Sequence, residues 1–218
     1  MKPTKSDCAR GLKHPLGGAS LAILVVTLAA LGGFLTGCIP TAVHAFYQVG
    51  DLVLDPSLLG IWKSADGNSS WTFTAGEGKS YKLEIQAEDQ RVECVTHLFK
   101  LGSERFLDLY PAAQMLEKKL NDNPYSLGLV PAHVCFRVRS TAPTLRMSSL
   151  GLDWLKEQFK RNPNAAAHVL LPDGRVTLTG ETAVLQAFIK EHLSDTNAWN
   201  DMYEDGLIKV PAKAAENR

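Results

Sequence analysis

Residues 69–86 read SSWTFTAGEGKSYKLEIQ, and this stretch decides the fold class. Trp71 and Phe73 fall on one side of an extended chain, while Tyr81, Leu83 and Ile85 alternate with Lys82, Glu84 and Gln86. A period of two marks a strand with one buried face, because successive side chains point to opposite sides of a sheet. Gly76-Glu77-Gly78 between the two runs supplies turn chemistry, so the runs read as antiparallel neighbours.

Outward from there the pattern recurs. A strand over 59–63 comes first and is closed by Asp66-Gly67-Asn68. Downstream, 91–101 and 105–110 form a hairpin around Gly102-Ser103-Glu104, and 132–139 and 144–149 flank Thr141-Ala142-Pro143. A last hairpin, 168–171 with 175–179, turns at Pro172-Asp173-Gly174. Helices are expected over 112–120, 153–161 and 181–193; in the third, Val184, Leu185, Phe188, Ile189 and Leu193 make one apolar stripe. The expectation is a mainly β chain with accessory helices, its antiparallel sheet curling on itself.

The N-terminus has a different logic. Lys2, Lys5, Arg10 and Lys13 are followed by no charge until Asp51, and residues 21–35 read LAILVVTLAALGGFL. A basic n-region and an apolar run shorter than the ~20 residues of a spanning helix describe a secretory signal. Leu35-Thr36-Gly37-Cys38 then resembles the lipobox of bacterial lipoproteins. That resemblance implies cleavage between Gly37 and Cys38, a diacylglyceryl thioether on Cys38 and acylation, commonly palmitate, of the new amino group. Ile39 in the next position implies an outer-membrane address in a diderm cell. The competing reading is an uncleaved N-terminal helix. The implied layout is a signal peptide at 1–37, a lipidated cysteine and tether at 38–57, a β-rich domain at 58–195 and a tail at 196–218.

Length and composition fit one globular domain: 218 residues, 45% apolar and 21% charged. The precursor is formally neutral, and loss of residues 1–37 leaves 19 basic and 22 acidic residues, a net of −3. That balance gives no electrostatic footprint for nucleic acid.

Gly60-Ile61-Trp62 at the first strand resembles the Gly-x-Trp signature of lipocalins and related calycin barrels, in which the tryptophan plugs the barrel floor. A lipocalin-like barrel is the fold this implies. The longer pattern LLGIW, SWTF, LFKLGSERFLDLYP, PAH, DWL and LTGETAVLQAF is similar to a group of exported bacterial proteins of unknown function. It covers most of 55–195, implies a shared fold and brings no activity with it. Helices near Met115 and Trp154 depart from the unbroken strand run of a lipocalin.

Candidate chemistry is sparse. Cys94 and Cys135 lie on strands in a compartment that permits a disulfide; the alternative is two small buried residues that never meet. None of the histidines sits in a metal-binding pattern, and no hydrolase motif or phosphate loop is present, so no metal or cofactor is implied. His97 shares a face with Val95 and Phe99 and can point inward. His133 shares one with Cys135, Arg137 and Arg139, which would bind an anion if that face lined an interior and would be solvated otherwise. Asp108, between Leu107 and Leu109, is either a functional buried carboxylate or an ordinary hydrogen-bond acceptor. Trp62, Trp71, Phe73, Tyr81, Phe99 and Phe106 form a core or line an apolar pocket.

Three functions remain. The first is a non-enzymatic, membrane-tethered barrel that binds a small apolar or amphipathic ligand near Trp62, with His97, His133 and Arg137 as its polar lining. The second is an interaction subunit that meets a protein partner in an envelope assembly. The third, an enzyme, requires His97, His133 or Asp108 to converge with a second polar group.

Overall fold

The structure is a computed structural model that describes residues 39–122 and 130–211. The expected signal peptide and Cys38 lie outside the described residues. In chain order the strands begin with β1 (Thr41–Ala42), β2 (Leu52–Val53), β3 (Gly60–Lys63), β4 (Ser69–Ala75) and β5 (Tyr81–Ala87). Then come β6 (Gln90–Leu101), β7 (Glu104–Pro111), helix α1 (Ala113–Asp122), β8 (His133–Ser140) and β9 (Thr144–Leu150). Helix α2 (Leu152–Arg161), β10 (His168–Leu170), β11 (Val176–Leu178) and helix α3 (Thr182–Glu191) follow, and β12 (Trp199–Asp201) and β13 (Leu207–Lys209) finish the set.

Eight antiparallel strands close a ring in the order β8-β7-β6-β5-β4-β3-β13-β9, with β9 returning to β8. The chain is therefore a lipocalin-like barrel with extra strands. The period-two residues of the opening stretch point inward: Trp71, Phe73, Tyr81 and Leu83 join Trp62, Leu98 and Leu107 in the interior cluster. Gly60 introduces β3 at φ +121°, a conformation a side chain strains to adopt, and a Cβ there would meet Lys209 Cε at 3.2 Å. Trp62 next to it is fully buried; its Nε1 donates to the Leu58 carbonyl at 2.8 Å, and Lys209 Nζ stands 5.0 Å from the ring centre.

A second core lies outside the ring. Alternate residues of β6, β7 and β8, among them Phe99, Phe106 and Cys135, are covered by Leu155 and Phe159 of α2 and by Leu185, Phe188 and Ile189 of α3. The strands are thus buried on both faces over this part of the wall.

Two expected boundaries are corrected. Residues 38–57 are no tether, because the described part, from Ile39 on, is packed. Thr41 and Ala42 pair with Val134 and His133 of β8 on one edge and with Thr177 and Leu178 of β11 on the other. Phe46 is buried, and β2 pairs with β6. Residues 196–211 are no tail either: β12 pairs with β9, and β13 sits between β3 and β9 and closes the barrel. Segments of two or three residues carry no readable periodicity, and their pairing depends on partners distant in sequence.

Candidate functional site

The register of β6, β7 and β8 builds a small grid on the outer wall. His97 is the cross-strand partner of Asp108, and Asp108 that of Cys135. Tyr110 and His133 lie one step along their strands on the same face, with ring centroids 4.5 Å apart. Asp108 is fully buried. Its Oδ1 stands 2.7 Å from His133 Nδ1, and its Oδ2 accepts the Phe46 N–H at 2.9 Å. A buried carboxylate is tolerable only with such partners, since an unpaired one costs several kcal/mol of lost solvation, roughly the penalty per ion in a protein interior.

The second donor comes from the segment that follows β1. This strap, residues 43–48, lies against the outer face of the β6–β7 wall, and Tyr47 packs on His97 with ring centroids 4.5 Å apart. Helix α3 fastens it from the other side. Thr182 Oγ1 donates to the Ala45 carbonyl at 2.7 Å, and Gln186 Nε2 donates to the Phe46 carbonyl at 3.0 Å and to Asp51 Oδ2 at 2.7 Å. Burial lowers the pKa of His97 and His133 adds to the effect, against the pull of Asp108. Burial and the Asp108 charge raise the Tyr47 hydroxyl.

His97, His133 and Asp108 therefore converge, on the wall and under the strap rather than in the barrel. The inward orientation expected of His97 is corrected, as is the choice between interior and solvent for His133 and Arg137. That face is a third environment, a wall covered by helices. Arg137 is buried and committed: Nε donates to Glu104 Oε2 at 2.9 Å, Nη1 donates to the Leu193 carbonyl at 2.9 Å, and the guanidinium lies 5.4 Å from the Trp199 ring centre. With Arg137 held by Glu104, His133 by Asp108 and Arg139 exposed, the expected anion-binding trio does not assemble.

Cys94 and Cys135 are both free. Cys94 packs in the barrel interior and Cys135 in the outer core, so the wall itself separates them, and of the two alternatives the structure shows buried cysteines that do not meet, not a disulfide. Burial pushes the Cys94 thiol up to about 11 and raises Cys135 well above its ordinary range, with Asp108 adding to the latter.

An aspartate on Nδ1 of a histidine fixes the tautomer and leaves Nε2 as the acceptor, the orientation of a general base. Such a base serves catalysis where a hydroxyl or thiol lies within reach of Nε2. The thiol on this face is Cys135, buried and hard to ionise. Among the described residues no group of three or more His, Cys, Asp or Glu is placed to hold a metal ion. The geometry is that of a fastening: one carboxylate ties β7, β8 and the strap together.

Trp62 is part of a filled interior, together with Tyr81, Phe73, Leu83 and Leu145, each at most 2% exposed. Among the described residues, cavities open on the outer surface. One of about 540 Å³ lies over β4–β6 and is lined by Thr72, Lys82, Glu84, Arg91 and Glu93; one of about 410 Å³ is lined by Trp154, Glu157, Arg161 and Asp195. Sequence reasoning missed the strap, Gln186 and Glu104. The uncharged run from Cys38 to Gly50, with Phe46-Tyr47 inside it, was the available signal that this segment is packed. Compared with protein-family models, with curated proteins and with solved structures, the chain matches none.

Proposed function

We propose that the chain is a bacterial envelope lipoprotein, cut after Gly37 and acylated on Cys38, whose barrel is a non-enzymatic interaction module acting through its outer surface. In a diderm cell it sits on the periplasmic face of the outer membrane. The lipobox and apolar run carry the anchor. The filled interior around Trp62 carries the rest, because a lipocalin-type carrier needs room inside the ring and this ring is occupied by its own aromatic side chains. Surface contacts are left as the means of recognition. Leu59, Ile61 and Ile208, exposed on or beside β3 and β13, offer apolar contacts to an envelope protein partner.

A second reading, a small amphipathic ligand, is favoured by the 540 Å³ outer groove, which has the volume of a ligand site and a polar, charged lining. Native mass spectrometry of the protein purified from its membrane in mild detergent separates the two. The interaction reading expects acyl mass on Cys38, a bound polypeptide and no stoichiometric small molecule. A small molecule retained at one copy per chain and lost on a Lys82→Glu change would overturn it in favour of the groove. A Cys38→Ser precursor should remain unacylated and uncleaved.

A further inference from the structure

The chain enters the fold as soon as it leaves Cys38. Ile39 packs against the interior cluster, Pro40 is buried, and Thr41 and Ala42 are hydrogen-bonded into the sheet on both edges. Ala42 is 0% exposed, and Thr41 Oγ1 lies 3.0 Å from Thr177 Oγ1. One peptide unit, about 3.8 Å between Cα atoms, thus separates the cysteine from the packed wall. A flexible tether of about twelve residues would reach about 20 Å and leave the domain free to tumble.

The wall at that point is the extension β8–β1–β11–β10, and its two faces differ. Ala42, Val176 and Leu178 point into the helix-covered core, and His168 on that side stacks on Phe159 with centroids 3.6 Å apart. On the opposite face Thr41, Thr177 and Val169 are register partners across three strands. Val43 and Thr179, two residues further along their chains, extend the same face. Val43 is 38% and Val169 48% exposed, and the threonines are half-buried. Among the described residues the register partners on this face are uncharged, and Arg175, at its end, is paired with Asp173 at 2.7 Å.

We propose that this face is a membrane-docking surface: the β1–β11–β10 extension lies on the lipid headgroups, and the barrel rides flush on the bilayer in one orientation. The inference rests on the lipidation of Cys38 proposed above. The acyl chains supply the affinity, and the short connection decides which surface meets the membrane. Threonine and valine side chains suit that contact because they give up little hydration at an interface, whereas a charged face would lose its water.

The test uses the acylated protein in vesicles of phosphatidylethanolamine and phosphatidylglycerol, with single reporter cysteines and a membrane-impermeant maleimide. Val169→Cys and Thr177→Cys sample the docking face; Thr74→Cys, exposed on β4, a strand that does not neighbour β1, β11 or β10, is the reference position. The buried Cys94 and Cys135 stay out of reach of the reagent. Labelling at 169 and 177 should be several-fold slower than at 74. A flexible insertion of about twelve Gly and Ser residues between Cys38 and Ile39 should abolish the difference. Equal labelling at all three positions in protein whose Cys38 acylation is verified by mass would overturn the docking face and leave the lipoprotein reading intact. Absence of acyl mass on Cys38 would overturn that reading and this one with it.

Discussion

The two faces of the β6–β7–β8 wall are made by alternate residues of the same strands, yet they are stabilised differently. Facing inward are Cys94, Leu98, Leu107 and Phe136, held by packing alone, and a buried Thr96 hydroxyl among them has no hydrogen-bond partner. Facing outward are Phe99 and Phe106, stacked at 5.3 Å, but also Asp108 and Arg137, each tied to several groups from other elements. Apolar packing fills a ring from whichever side chains fit. Buried charge requires named partners, and those partners fix where the strap and helices must lie.

That contrast can be broken at either face. Truncating one aromatic on each side, Phe73→Ala inside and Phe106→Ala outside, should cost about 3–5 kcal/mol apiece in denaturant unfolding. A much smaller loss for Phe106→Ala would show that the outer core adds little to the barrel. Asp108→Ala should cost about 3 kcal/mol or more, because it leaves His133 and the Phe46 amide unpaired, while Asp108→Asn, which still accepts a hydrogen bond, should lose less. Hydrogen exchange at the Phe46 amide reads the same effect locally, and unchanged protection in Asp108→Ala would mean that the strap is held without the carboxylate.

The charge network also predicts an acid limb. His97 has its pKa lowered by burial from a reference value of 6.5, so the unfolded chain takes up the proton first as pH falls. Its contribution to stability is complete above that value and is lost as pH drops through it toward the lower folded value. His97→Gln should flatten the stability profile below about pH 7, relative to the unsubstituted protein. The smallest expected effect lies inside the ring. Thr96→Val replaces an unpartnered hydroxyl with a methyl of the same shape and should gain about 1 kcal/mol, whereas a loss would point to a hydrogen bond with ordered water.

Much of the fold was legible. The expected strand around Trp71 and Phe73 and those at 91–101 and 105–110 fall on β4, β6 and β7, and the helices expected at 153–161 and 181–193 overlap α2 and α3. These elements are long enough for their periodicity to outweigh local noise. The strap and the closing strand β13 were not legible, because a two- or three-residue strand is defined by what it pairs with. The site was legible only in part. Alternation placed His97, Asp108 and His133 on strand faces, but it left open that the shared face is the outer one, and it could not supply Phe46, Tyr47 or Gln186.

Sequence alone was enough for the barrel class, for the alternation that sorts each strand into two faces, and for the motif at Cys38 that resembles a lipobox. Those properties depend on neighbours a few residues away, or on a linear motif. The tertiary structure decided which face turns inward, that Cys94 and Cys135 lie on opposite sides of a wall, and that Asp108 accepts a hydrogen bond from the strap. It also replaced the expected tether with a strand seated in the sheet. Each of these turns on register between segments up to about 150 residues apart, where a shift of one residue exchanges the two faces.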